Sequence, residues 1–192
     1  HLGVRRQRQM CIRDRQLDLE FEKENELKFS DYIQMIKYKT AVLLGSSLKM
    51  GGIINDVNET DLESLYDIGI NLGLAFQIQD DYLDLFGDQN LIGKKIGGDI
   101  IKRKKTVMYH VFKEISNEDD SLTLEQLYND SNSDDGSKIQ KVFELFKNAN
   151  VDVKTKDLVK NYSTKAINSL ENINIEKRIS ITPDVIKKYP SL

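Results

Sequence analysis

Three aspartates inside a strongly apolar run constrain the chain more than any other feature. Residues 76–88 read FQIQDDYLDLFGD, and the acids are Asp80, Asp81 and Asp84. In a helix, residues four apart share a face, so Asp80 and Asp84 project together while Asp81 lies to one side. Close carboxylates repel one another, and burying them costs free energy unless something compensates their charge. The run therefore predicts a helix whose acidic face needs a partner.

A hard divalent cation suits such a face. Mg²⁺ takes oxygen ligands, keeps several waters and commonly bridges one or two carboxylates to substrate phosphates. The alternative is a solvated helix end, because aspartate is common near turns and Gly87 predicts that the helix stops there. Large apolar residues on both sides of the acids leave no wide polar face, which favours a functional site.

Composition predicts an all-α domain and excludes several classes of protein. The 192 residues include only 2 prolines and 11 glycines, and Leu, Ile, Lys, Glu, Asp and Asn are abundant. The net charge of −3 favours neither nucleic acid nor an anionic membrane as a partner. The single Cys11 excludes an internal disulfide, and His1 and His110 are too few for a zinc site or a His-based triad. Since no apolar run reaches the roughly 20 residues of a membrane span and no secretory signal is visible, we expect a cytoplasmic protein without a membrane span.

Basic residues lie on both sides of the acidic run. Six lysines and arginines occur between Lys94 and Lys105, in a glycine-rich segment. A patch for single-stranded nucleic acid would carry aromatic residues for base stacking, and none is interleaved here. A cationic lid over a metal-bound diphosphate explains the acids and the lysines together. Upstream, Lys37, Lys39 and Thr40 fall within an apolar helix. The two lysines either snorkel to the surface, or Lys39 and Thr40 present a cation and a hydroxyl to an anionic ligand.

Apolar periodicity predicts the helices. The first is capped by Ser30, runs as far as Met50, and should be central because it is apolar on most sides. Asn58 or Thr60 caps a second helix over about 61–86.

Glycines within the second helix predict how it packs. Gly69 and Gly73 are four apart, which allows another helix to approach closely. Further helices are expected at 107–115, 122–128, 138–148 and 152–170.

The first fifteen residues differ from the rest of the chain. They are rich in arginine where the body prefers lysine, and they show no helical or strand period. A basic targeting arm is one interpretation. We favour a non-native or disordered segment at 1–15, because residues 8–15 resemble translated adapter sequence, and we place the native domain at 16–192.

Four motifs together resemble the trans-isoprenyl diphosphate synthases, the polyprenyl synthetase family that includes farnesyl and geranylgeranyl diphosphate synthases. They are Lys39-Thr40, FQIQDDYLD at 76–84, Gly93-Lys94 and Gly-Gly-Asp-Ile at 97–100, in order and at compatible spacing. The resemblance covers roughly residue 16 to the C-terminus. It implies an all-α bundle around a deep cavity, which condenses an allylic diphosphate with isopentenyl diphosphate using Mg²⁺. It also implies a homodimer in the complete protein.

The same resemblance implies roles for single residues. The metal site would be formed by Asp80, Asp81, Asp84 and, from an opposite helix, Asp18. The residues that contact the substrate diphosphate would be Lys39, Lys94 and Lys104. The residues nearest the reacting carbons would be Thr40 and Gln77.

The chain also departs from the family pattern. We find no first aspartate-rich motif upstream of Lys39, and Arg103 stands where Asn is more usual. The sequence is therefore interpreted as the C-terminal part of such an enzyme, an N-terminally truncated isoprenoid synthase-type bundle with little turnover alone. The alternative is a non-catalytic helical subunit of a heteromeric prenyl diphosphate synthase.

Overall fold

The computed structural model describes residues 28–88, 96–130 and 133–173, and every regular element in them is helical. The first segment contains α1 (Phe29–Ile36), a π-helical turn (Lys37–Ala41), α2 (Val42–Ile54) and the long α3 (Glu59–Phe86). The other segments contain α4 (Gly98–Ile101), α5 (Val107–Ile115), α6 (Glu118–Asn129), α7 (Asp135–Asn148) and α8 (Val151–Glu171). The all-α class predicted from composition is confirmed.

Local signals set the two ends of α3. Of the two candidate caps, Asn58 is the one used, since its Oδ1 accepts a hydrogen bond from the Asp61 N–H at 2.9 Å. The helix ends at Phe86, and the Gly87 N–H donates to the Leu83 carbonyl at 3.1 Å. Both ends therefore agree with the sequence prediction to within two residues.

The starts of α1 and α6 differ from the prediction. Helix α1 begins one residue before Ser30, and the Asp31 carboxylate accepts the Lys28 N–H at 3.3 Å. Helix α6 begins four residues earlier than expected because Asn117 caps it, with its Oδ1 accepting the Asp120 N–H at 2.8 Å. In the sequence, the acidic first turn resembles a polar loop between helices. Acids at the N-terminal end of a helix are, however, stabilised by the helix dipole.

The chain divides into two compact units. Of the described residues, those within 28–36 and 80–157 form the first unit, and those within 37–79 and 158–173 form the second. Helix α3 contributes to both units, because the boundary falls between Gln79 and Asp80. The aspartate run therefore belongs to the first unit.

In the first unit, α1 packs on α5, and α4 and α6 both pack on α7. Phe112 and Phe146 are fully buried, with ring centroids 5.4 Å apart. At the end of α3, Phe86 stacks on Tyr82 and lies 5.2 Å from the ring of Phe143 on α7. These contacts hold the aspartate-bearing end of α3 against α7.

In the second unit, small residues form the crossing of α2 and the π-helical turn with α3. A Cβ added to Gly69 would collide with the backbone of Gly45, and one added to Gly73 would lie 2.5 Å from the Cα of Ala41. The predicted close approach at Gly69 and Gly73 is confirmed. Only small side chains let two helix backbones come this near.

The expectation of a central first helix holds for part of that segment. Ala41 is fully buried, but Leu43, Met50 and Ile54 on α2 are 65%, 57% and 80% exposed. Within the described residues, none of the helices has the length and apolar character needed to cross a membrane.

Candidate functional site

Asp81 is buried and held by hydrogen bonds from two other elements. The Tyr32 hydroxyl on α1 and the Val107 N–H at the start of α5 both donate to Asp81 Oδ2, the latter at 3.3 Å. Burial and the nearby Asp81 charge raise the pKa of Tyr32 well above its usual value, so this hydroxyl stays protonated and acts as the donor. Asp81 is thus turned into the first unit and is 7% exposed.

Asp84 joins the end of α3 to the start of α4. Its side-chain Oδ2 accepts the Asp99 N–H at 3.0 Å, and its main-chain carbonyl accepts the Gly97 N–H at 2.7 Å. Gly97 has φ +76°, a conformation that favours glycine. Partial burial raises the pKa of the Asp84 carboxyl, and the bond from Asp99 opposes that rise. A nearby positive charge would relieve the burial cost of this carboxylate.

Lys104 supplies a cation close to these acids. Its Nζ lies 2.8 Å from Asp99 Oδ1, and the bond to Asp99 raises the pKa of Lys104. The charges of Asp81 and Asp84 act in the same direction. The structure therefore places the Lys104 charge near Asp81 and Asp84, and its contact with a substrate diphosphate stays a prediction.

Asp80 is the exposed member of the run and lies one helical turn from Asp84. Among the described residues, no group of three His, Cys, Asp or Glu side chains is placed to hold a metal ion unaided. Mg²⁺ is commonly held by one or two carboxylates together with substrate phosphates and water. Asp80 and Asp84 are the residues that would hold it.

In the second unit, Thr40 and Gln77 are brought together. The Thr40 hydroxyl donates to Gln77 Oε1 at 3.0 Å. Thr40 and the exposed Lys39 lie in the π-helical turn, where the sequence already placed a cation and a hydroxyl within an apolar helix. Such turns frequently occur at functional sites because they change the direction of side chains locally.

Two predicted site residues, Asp18 and Lys94, lie outside the described residues. Conversely, the sequence interpretation missed Tyr32 and Val107 as partners of Asp81. Tyr32 falls within the apolar helix predicted to begin after Ser30, and it lies 49 positions from Asp81. No local signal identifies such a pair.

The family model for polyprenyl synthetase matches residues 5–146. The chain belongs to the polyprenyl synthetase family. The match begins within the first fifteen residues, whose non-native origin stays a prediction. The isoprenoid synthase-type helical fold is confirmed by the solved structures described next.

Relatives and solved structures of the family agree with this assignment. The chain is 34% identical over 164 residues to a geranylgeranyl diphosphate synthase of Saccharolobus solfataricus. The aligned region covers 84% of this chain and 48% of that protein. It is 38% identical over 132 residues to a short chain isoprenyl diphosphate synthase of Methanocaldococcus jannaschii. That alignment covers 68% of this chain and 39% of the relative. A crystal structure of a geranylgeranyl pyrophosphate synthase superposes with a TM-score of 0.81 at 36% identity, covering 96% of this chain and 56% of that one. The chain spans about half the length of the curated relatives it matches.

Proposed function

We propose that this chain serves a Mg²⁺-dependent prenyltransferase of isoprenoid biosynthesis, which condenses an allylic diphosphate with isopentenyl diphosphate. The observation that carries the proposal is the acidic end of α3. Asp80 is exposed there, Asp84 is anchored to α4, and Lys104 lies near enough for its charge to interact with Asp81 and Asp84. Relatives named as geranylgeranyl and short chain isoprenyl diphosphate synthases support the reaction class.

The proposed roles follow from the charge that develops when diphosphate leaves. Bound Mg²⁺ would supply Lewis-acid stabilisation of that charge. Asp80 and Asp84 would hold the metal, and Lys104 would stabilise the diphosphate oxygens. We propose Lys39 and Lys94 as further contacts of the diphosphate. Asp18 is proposed as a metal residue from another helix.

Thr40 and Gln77 are proposed to lie near the reacting carbons. Their dipoles would favour an allylic cation without offering a strong base that removes its proton. Their mutual hydrogen bond holds both side chains in fixed positions.

The site is tested by measuring the binding of inorganic diphosphate to the chain with calorimetry at saturating Mg²⁺. Asp80→Asn is expected to weaken binding by about 100-fold, since a charged group aimed at an anion–metal pair is lost. Asp67→Asn is the matched control, because Asp67 is an exposed aspartate on the same helix. Equal affinity of the wild type and Asp80→Asn would contradict the site.

Turnover is a separate question. Because the sequence shows no first aspartate-rich motif upstream of Lys39, we propose that the chain alone forms little product. Incubation of the purified chain with Mg²⁺, an allylic diphosphate and isopentenyl diphosphate checks this. Rapid product formation would contradict it.

The second candidate is a non-catalytic helical subunit of a heteromeric prenyl diphosphate synthase. The exposed apolar residues Leu43, Met50 and Ile54 favour it, because they recur at spacings of seven and four on one helix and could contact a partner chain. The intact aspartate run counts against it. Restored turnover on mixing with a separate catalytic chain would favour it over the first candidate.

Homodimerisation of the complete protein and a cytoplasmic location stay predictions. Sedimentation velocity and cell fractionation test them, and nucleic acid is not an expected partner.

A further inference from the structure

The three aspartates of the run occupy different environments. Asp81 is 7% exposed and accepts hydrogen bonds from a side chain on α1 and a main-chain N–H on α5. Asp80 is exposed, and Asp84 is partly buried and bonded to α4. The middle acid is therefore built into the packing of the first unit, whereas its neighbours lie nearer the solvent.

Tyr32, the side-chain donor, is itself held firmly. It is 4% exposed, and its ring packs against the buried His110 on α5 with centroids 5.4 Å apart. His110 also contacts the rings of Phe29 and Tyr109, at 6.3 and 5.6 Å. This aromatic cluster fixes the direction from which the Tyr32 hydroxyl approaches Asp81.

Holding Asp81 sets the rotation of the end of α3. Successive residues of an α-helix are turned by about 100°, so one immobilised side chain fixes the direction of its neighbours. With Asp81 directed towards Tyr32 and Val107, Asp80 and Asp84 share another face. Loss of the Tyr32 bond would loosen this orientation while leaving the Asp80 and Asp84 side chains in the protein.

We propose that Tyr32 is a positioning residue that acts through Asp81. It orients Asp80 and Asp84 towards a Mg²⁺–diphosphate ligand, and Asp81 serves as the anchor rather than as a direct metal ligand. This inference rests on the proposed function, because the ligand is the one proposed for the acidic end of α3.

A double-mutant cycle tests it, with inorganic diphosphate and Mg²⁺ as the probe and calorimetry as the readout. Tyr32→Phe keeps the ring and loses the hydroxyl, and it is expected to weaken binding about tenfold, as is usual for partners that orient metal ligands. Asp81→Ala should have a similar effect, and the double variant should be no weaker than either single variant. Tyr109→Phe is the control, because it removes another buried phenol from the same unit and should leave affinity unchanged.

Asp81→Asn distinguishes an anchor from a ligand. The amide oxygen still accepts both hydrogen bonds, so this variant should lose only about threefold, far less than Asp80→Asn. It also decides the matter if Tyr32→Phe does not fold, which circular dichroism reports.

Two results would overturn the inference while leaving the proposed function standing. One is additive losses in the cycle, and the other is a loss in Asp81→Asn as large as in Asp80→Asn. If the wild-type chain itself binds no Mg²⁺–diphosphate, the proposed function and this inference fail together.

Discussion

The two units differ in the contacts that define their structure: hydrogen bonds to acidic side chains in the first, and close packing of helix backbones in the second. In the first unit, hydrogen bonds from α1, α4 and α5 converge on the acids Asp81 and Asp84. In the second unit, the crossing of α2 and the π-helical turn with α3 depends on the absence of side chains at Gly45, Gly69 and Gly73. One region specifies where charged groups point, and the other specifies how near two backbones come.

This difference determines which amino-acid substitutions each unit tolerates. A hydrogen-bonded side chain can be replaced by one of the same shape, so the fold survives while the direction of a neighbour is lost. A glycine at a helix crossing has no such replacement, because even a methyl group needs space that backbone atoms occupy. Substitutions of the hydrogen-bonding residues in the first unit should therefore weaken ligand binding with little loss of stability. Substitutions at the glycine crossing should lower the stability of the fold itself.

The largest expected effect tests the crossing. Gly69→Ala places a Cβ against the Gly45 backbone and should lower the free energy of unfolding by about 3 kcal/mol or more. Urea denaturation measures it. Gly51→Ala is the control, since its Cβ would meet nothing within 4 Å, and a helical alanine should raise stability slightly. Equal stability of the two variants would show that the close approach at Gly69 does not limit which residues the crossing accepts.

The next effect is a pH dependence in the first unit. Burial lowers the pKa of His110 from 6.5 to about 4. Between these pH values the unfolded chain binds the proton and the folded chain does not. The contribution of His110 to the free energy of unfolding is therefore fully present above pH 6.5. It is lost as the pH falls towards 4, by about 3 kcal/mol.

Urea denaturation at pH 7 and pH 4.5 measures this loss. His110→Phe should reduce the loss, because the buried His110 Nε2 has no hydrogen-bond partner among the described residues and the variant cannot take up a proton. An unchanged pH dependence in the variant would show that other groups cause it.

A smaller effect concerns the backbone beside Lys104. Arg103 has φ +57°, a region that costs most residues about 1–2 kcal/mol. Asp56 and Asn150 also have positive φ, but such residues tolerate it better. Asn tolerates this backbone region better than arginine does, so we expect Asn to suit position 103 better.

Arg103→Gly and Arg103→Ala test this strain. Both remove the same side chain, so the difference between them isolates the backbone, and the glycine variant should be more stable by about 1 kcal/mol. Thermal denaturation compares them. A more stable alanine variant would refute the strain.

The smallest effect tests the polar pair of the second unit. Thr40→Val removes the hydroxyl that donates to Gln77 and should cost about 1 kcal/mol, as for a typical hydrogen bond. Thr40→Ser keeps the hydroxyl and should retain most of the stability. Urea denaturation of both variants is the measurement, and a valine variant as stable as the wild type would show that the bond contributes nothing.

Much of the fold was predictable because its signals are local. Asn58 and Gly87 delimit α3, and composition indicated an all-α chain. The start of α6 was not predicted, since acids in a first turn resemble a polar loop until the helix that they stabilise is known. The aspartate run itself was also visible in the sequence, whereas the ion pair of Lys104 with Asp99 was not predicted.

The sequence by itself determined which residues carry charge and which helix presents them, because helical spacing fixes which neighbours share a face. Only the tertiary structure decided that Asp81 is turned inwards while Asp80 stays exposed. The partners that make this difference, Tyr32 and Val107, are distant in sequence. Packing of whole helices brings them to Asp81, and no local pattern records such packing.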